Sequence, residues 1–167
     1  MDPWSLTAAA LQEPWRLWTG HLAHWGWAHA ATNAFALMVP LGLVPPRTRG
    51  RLLLGLAALA PLLSLALLPS LGTGAYRGAS GLVCAAWAMA GLHLIQAQAS
   101  RATGRLLLVA LGLKLLLEGI LHGGVLLHPQ GWQTLPLAHL WGAALGSALA
   151  LSSPEWRWRT QPQRLRG

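Results

Sequence analysis

A serine between glycines and a histidine far along the chain are residue types that together catalyse acyl transfer. Ser80 lies in the sequence Gly78-Ala79-Ser80-Gly81. The small neighbours leave its hydroxyl and its backbone N–H open to another polypeptide backbone, which a nucleophile requires. A serine hydroxyl is a weak nucleophile, and we expect His139 to take its proton as general base. We therefore predict a catalytic pair of Ser80 and His139.

The spacing of small residues predicts how two helices bring this pair together. Gly142 and Gly146 follow His139 at i+3 and i+7, so the three residues share one helix face. Glycines at this spacing are typical of helices that pack closely in membranes. The helix that begins near the serine carries small residues at intervals of four: Ser80, Cys84 and Ala88. Packing this stripe against the two glycines would bring the imidazole within hydrogen-bond distance of the hydroxyl.

A third pattern supplies donors for the negative charge that forms on the substrate oxygen. His29 and Asn33 are four residues apart, which places an imidazole and a carboxamide on one helix face. Together with the backbone N–H of Ser80, these side chains would form an oxyanion hole. No acidic residue is a convincing partner for His139, because each lies in the N-terminal segment, on another helix or beyond the last apolar block: Asp2, Glu13, Glu118 and Glu155. We expect a dyad without an acid.

The elements that must hold these residues are membrane helices. The chain has 167 residues, of which 54% are hydrophobic and 10% charged, and this is too apolar for an ordinary soluble domain. Backbone polar groups in lipid must be paired within the structure, so continuous apolar blocks of about 20 residues predict helices. Five such blocks occur: residues 27–45, 52–71, 79–97, 105–122 and 135–152. The expected fold is an all-α polytopic membrane bundle with five spans.

The basic residues predict the orientation of this bundle. Nine of the twelve Lys and Arg residues follow the first, third and fifth blocks, which the positive-inside rule places in the cytoplasm. The residues with catalytic potential then lie near the outer face. Because the net charge of +8 is spread between apolar blocks, nucleic-acid binding is not expected. We predict one domain in three parts: an outer interfacial segment (1–26), a five-helix core (27–152) and a basic cytoplasmic tail (153–167).

Two further groups of polar residues could have a function: a Lys–Glu pair and a set of three histidines. Lys114 and Glu118 are four residues apart in the fourth block, and we expect them to neutralise each other; a proton relay or a substrate contact is the alternative. Imidazoles on successive turns can bind a metal, and three histidines are candidates: His21, His24 and His29. No His-Glu-x-x-His motif accompanies them, so we predict neither a metal nor a cofactor.

The three catalytic patterns resemble the motifs of the rhomboid family of intramembrane serine proteases. The family motifs are HxxxN, GxSG and AHxxGxxxG, and they correspond in order to residues 29–33, 78–81 and 138–146. Trp15-Arg16 is similar to the family's Trp-Arg pair in its first loop. The resemblance implies a lipid-embedded enzyme that cleaves membrane-anchored proteins with Ser80 and His139. The alternative is a catalytically silent rhomboid-like protein that binds transmembrane helices.

Within that family, residues 15–33 and 76–82 are similar to the rhombosortase branch. Rhombosortases are bacterial enzymes associated with cleavage of C-terminal GlyGly-CTERM sorting tails. The resemblance implies such substrates, and a multi-pass protein of the bacterial inner membrane with its active site towards the periplasm. The family's bacterial core has six spans, and the helix that precedes the Trp-Arg loop is absent here. A lost N-terminal piece or a five-span variant would explain this difference.

Overall fold

The computed structural model describes residues 2–121 and 135–152, and the regular structure in these ranges is helical. Two short 3-10 helices, Ala8–Leu11 and Gln98–Ser100, accompany six α-helices. These are α1 (Arg16–Leu22), α2 (Trp27–Leu43), α3 (Pro46–Leu71), α4 (Ser80–Leu94), α5 (Arg101–Leu121) and α6 (Pro136–Ser152). The all-α prediction is confirmed for this part of the chain, and each predicted block coincides with one long helix, although α3 and α5 begin six and four residues before their blocks. The predicted basic tail lies outside the described residues.

One described helix, α3, passes a test for membrane crossing by length and composition alone, with 26 residues and an 18-residue stretch of mean hydropathy 2.3. The helices α2 and α6 have 17 residues each and α4 has 15. Seventeen residues span about 26 Å, slightly less than the ~30 Å hydrocarbon core of a bilayer. The helix α5 is long enough but contains four charged residues: Arg101, Arg105, Lys114 and Glu118. The number of spans therefore stays a prediction.

The distribution of side chains suits a bundle surrounded by lipid. Large apolar side chains on α2, α3, α5 and α6 point outwards, among them Phe35, Leu54, Leu106 and Leu116. The interior contains apolar side chains of all sizes and also several polar ones: Asn33, Ser64, His93, Glu118 and His139. Soluble proteins seldom expose so many large apolar side chains, because water favours polar groups at the surface.

The central helix of the bundle is α4, and its backbone touches that of α6. Eleven of its fifteen residues are buried, and it contacts α2, α3, α5 and α6. A Cβ atom built on Gly142 would lie 1.9 Å from the carbonyl oxygen of Gly81. One turn further, a Cβ atom on Gly146 would lie 2.6 Å from the carbonyl oxygen of Ala85. Only glycine fits at these two positions of α6.

Gly142 and Gly146 meet Gly81 and Ala85 of α4. This stripe is shifted by one residue from the predicted one, which was Ser80, Cys84 and Ala88. Cys84 and Ala88 pack instead against Ala143 of α6, in a buried cluster that includes α5. The physical reason is that adjacent residues on a helix point about 100° apart, so a shift of one residue turns a different face to the neighbour. His139 is four residues before Ala143, so its face of α6 meets the stripe that begins with Ser80.

The N-terminal segment is bound to the loop that precedes α4. Leu6 and Tyr76 exchange two backbone hydrogen bonds, of 3.1 Å and 2.9 Å. The N–H of Gly78 donates to the carbonyl of Gly20 at 3.0 Å. These three bonds determine the path of the chain immediately before Ser80, so residues 6–20 support the start of α4.

Arg16 of the predicted Trp-Arg pair is buried and holds the N-terminal segment together. Its Nη1 donates to the carbonyl oxygens of Ser5 (2.9 Å) and Asp2 (3.2 Å), and its Nε donates to Glu13. Hydrogen bonds to a charged group contribute about 1.5–3 kcal/mol. Arg16 therefore stabilises the segment that supports the loop before Ser80.

We expect Gly142→Ala to destabilise the bundle by about 1–3 kcal/mol or more, because the added methyl group would overlap the carbonyl of Gly81. Gly112→Ala is the matched control, since, apart from the adjacent backbone of α5, no atom of the described residues lies within 4 Å of a Cβ built at Gly112. Thermal unfolding of both variants in the same detergent would measure the difference. Equal melting temperatures for the two variants would contradict the backbone contact.

Candidate active site

Ser80 is the first residue of α4 and is half-buried. The first N–H groups of a helix have no partner within the helix and carry a partial positive charge. The preceding Gly78 has φ +133°, a backbone conformation that residues with side chains rarely adopt. The hydroxyl of Ser80 is therefore next to backbone donors, on a turn whose shape requires glycine.

His29 and Asn33 of α2 both contact this turn. A Cβ atom on Gly78 would lie 2.7 Å from Cε1 of His29 and 3.6 Å from Nδ2 of Asn33. The Nδ2 group of Asn33 is buried, and none of the described residues accepts a hydrogen bond from it. A buried donor without an acceptor destabilises the protein by about 1–3 kcal/mol. The structure thus places both predicted oxyanion residues beside the backbone two positions before Ser80.

His139 lies on the first turns of α6 and is buried. The backbones at this end of the bundle are close, because a Cβ atom on Gly81 would lie 2.7 Å from the carbonyl oxygen of Ala138. Gly81 follows Ser80 and Ala138 precedes His139, so the predicted nucleophile and base adjoin one contact between α4 and α6. His29 and Asn33 of α2 lie at the same end of α4, beside Gly78.

The imidazole of His139 has an acidic partner, which differs from the dyad expected from the sequence. Its Nδ1 is 2.8 Å from Oε2 of Glu118, a side chain only 4% exposed. The other carboxylate oxygen, Oε1, is 2.7 Å from Nζ of Lys114. Nζ also lies 3.0 Å from Nδ1 of His139. The expected pairing of Lys114 with Glu118 is present, and His139 is a third member of the cluster.

Glu118 was not predicted as a partner of His139, and the one indication in the sequence was the position of both residues along their helices. Glu118 is near the C-terminal end of α5, and His139 is near the N-terminal end of α6. These two ends lie on the same side of the bundle. The spacing along α5 does not say which of its faces is turned towards α6, so the contact could not be read from the sequence.

Tyr76 is a second residue near the serine that the sequence did not single out as functional. Its side chain is 6% exposed, and its buried hydroxyl has no hydrogen-bond partner among the described residues. Burial raises the pKa of Tyr76 to about 12, and the nearby Ser80 hydroxyl and Gly81 N–H lower it in part. Tyr76 is therefore a neutral phenol that lies beside the predicted nucleophile.

The three N-terminal histidines do not form one cluster. Nε2 of His21 contacts the carbonyl of Ala60 and the hydroxyl of Ser64, both at 3.0 Å, and burial lowers the pKa of His21 to about 4. His24 instead packs edge-to-face against His29, with ring centroids 5.0 Å apart. Among residues 2–121 and 135–152, no three His, Cys, Asp or Glu side chains are grouped as metal ligands.

Comparison with known protein families gives one match. The family model of the Rhomboid domain matches residues 11–153, which include all six α-helices. No curated protein and no solved structure matches the chain.

Proposed function

The chain belongs to the rhomboid family, whose members are integral membrane proteins and include serine proteases, and from that premise we propose that it is an intramembrane serine endopeptidase. Ser80 is the proposed nucleophile and His139 its general base. The observation that carries the proposal is the meeting of three distant sequence motifs at the N-terminal end of α4. There, His29 and Asn33 contact Gly78, and Gly81 contacts α6 beside His139.

The proposed reaction is a two-step acyl transfer. Ser80 attacks the scissile carbonyl while Nε2 of His139 takes the hydroxyl proton. Breakdown of the tetrahedral intermediate breaks the C–N bond, and His139 gives the proton to the leaving amine. A water molecule, deprotonated by His139, then hydrolyses the acyl-enzyme and regenerates Ser80.

The oxyanion of the tetrahedral intermediate would be stabilised by donors that are already in place. The backbone N–H of Ser80 and the Nδ2 group of Asn33 are the main candidates, with His29 beside them. Each such donor contributes about 3–4 kcal/mol to the transition state in enzymes where it has been removed. Nδ2 of Asn33 is buried and has no acceptor among the described residues, which supports this role, because a substrate oxygen would give it a partner.

The proposed substrates are membrane-anchored proteins, and more narrowly those with GlyGly-CTERM tails. The similarity of residues 15–33 and 76–82 to rhombosortases supports the narrower class. The proposed location is the bacterial inner membrane, with the C-terminus in the cytoplasm. The orientation rests on the arginines at the starts of α3 and α5, at the end of the bundle opposite Ser80. Thr48 and His93, 3.4 Å apart, join α3 and α4 at that end.

Ser80→Ala and His139→Ala should each abolish cleavage while the protein still folds, because each removes one half of the proposed nucleophile–base pair. A fluorophosphonate probe, which reacts with activated serines, should label the wild-type protein and fail to label Ser80→Ala. Ser70→Ala is the matched control, since Ser70 is exposed and its hydroxyl donates to the carbonyl of Leu67 within its own helix. Cleavage by purified Ser80→Ala, or failure of the probe to label the wild-type protein, would overturn the proposed function, and the second result would favour the silent, helix-binding protein.

Asn33→Ala should lower kcat by about 10²- to 10³-fold, because one oxyanion donor is lost. Thr32→Ala is the matched control: Thr32 is adjacent and exposed, and its hydroxyl donates to the carbonyl of Ala28. Both variants should be assayed with one membrane-anchored substrate in proteoliposomes. Similar kcat values for the two variants would contradict the role of Asn33.

A paired substrate assay would test the narrower substrate class. One fusion protein would end in Gly-Gly, an apolar helix and a basic tail, and its control would carry Val-Val in place of Gly-Gly. We expect cleavage of the Gly-Gly fusion alone, because two residues without side chains allow the substrate backbone to approach Ser80 closely. Equal cleavage of both fusions would reject the GlyGly-CTERM assignment and leave the protease assignment intact.

A further inference from the structure

The carboxylate of Glu118 lies between the ammonium group of Lys114 and the imidazole of His139. One oxygen faces the ammonium of Lys114 at 2.7 Å, and the other faces Nδ1 of His139 at 2.8 Å. A carboxylate at this position can only accept hydrogen bonds when it is ionised. The proton on the imidazole must then be on Nδ1, which leaves the Nε2 lone pair available.

From this geometry we propose that Glu118 is a positioning residue that holds His139 in the orientation and tautomer needed to accept the proton of Ser80. The inference rests on the proposed function, because it assigns Glu118 a role in the same reaction. It turns the expected dyad into an arrangement of serine, histidine and glutamate. In such arrangements the acid orients the imidazole and stabilises the imidazolium that forms during attack.

Lys114 contributes by fixing the carboxylate rather than by bonding to the imidazole. An ammonium group and an N–H group are both donors, so Lys114 and Nδ1 of His139 cannot hydrogen-bond to each other despite their 3.0 Å separation. They share the carboxylate between them. By holding Oε1, Lys114 turns Oε2 of Glu118 towards the imidazole.

The burial of the three groups argues against a simple ion pair. The side chain of Glu118 is 4% exposed, whereas that of Lys114 is 38% exposed. Burying a carboxylate destabilises a protein unless it gains further hydrogen bonds, and a pair on the helix surface would avoid that loss. Here the carboxylate is directed into the bundle, where the side chain that it meets is His139.

The test compares Glu118→Gln with Lys114→Met, because both variants break the same ion pair and only the first changes the partner of His139. Glu118→Gln should lower kcat by about 10²- to 10⁴-fold with little change in KM, since an amide can donate to Nδ1 and favour the wrong tautomer. Lys114→Met should lower kcat by less than about tenfold, because the bond from Nδ1 to Oε2 survives. Equal losses in kcat for the two variants would show a merely structural ion pair and overturn the inference.

A second measurement reports the tautomer directly and does not depend on turnover. Nitrogen-15 NMR of histidine-labelled protein, with the His139 signals assigned by their loss in His139→Ala, distinguishes a protonated Nδ1 from a protonated Nε2. We expect a protonated Nδ1 in the wild-type protein and in Lys114→Met, and a shift towards protonated Nε2 in Glu118→Gln. A wild-type imidazole protonated on Nε2 alone would overturn the inference.

The two proposals fail in different ways. If Ser80→Ala still cleaves substrate, the proposed function fails. If Ser80→Ala is inactive while Glu118→Gln retains wild-type kcat, the protease assignment holds and the role of Glu118 is rejected.

Discussion

The backbones of α4 and α6 touch at Gly81 and Gly142, and this contact leaves no space for even one additional carbon atom. It places the start of α4 beside the start of α6, and so it places Ser80 near His139. Close backbone contact between helices in lipid relies on van der Waals packing, because lipid chains provide no hydrophobic force between apolar surfaces. The small residues on the facing sides of α4 and α6 follow from the same requirement.

Polar groups gather at one end of this contact. The buried Asn33 and Tyr76 lie there, and so does the cluster formed by Lys114, Glu118 and His139. An isolated charge in an apolar environment is strongly destabilising, whereas paired charges with shared hydrogen bonds are tolerated. The proposed peptide hydrolysis would use groups of this kind, and the bundle accommodates the charges of Lys114 and Glu118 by pairing them.

The helices and most of the site could be predicted from the sequence because their signals are local. Long apolar blocks must be helical in lipid, and the spacings around His29, Ser80 and His139 each describe one helix face. The rotation of one helix against another is not a local property. For that reason the contact of Glu118 with His139 was not predicted, although both lie at the same end of the bundle, and the predicted stripe on α4 was displaced by one residue. Tyr76 was missed because its position depends on the path of a loop.

The pairing of Leu6 with Tyr76, and of Gly20 with Gly78, has a consequence for the order of events during synthesis. The N-terminal partners leave the ribosome more than fifty residues before the loop that they bind. Since chains are made from the N-terminus at about 5–20 residues per second, the supporting segment exists for several seconds before α4 is complete. The segment that binds the loop before Ser80 is therefore synthesised before Ser80 itself. The loop can pair with this segment as soon as Tyr76 and Gly78 have been added to the chain.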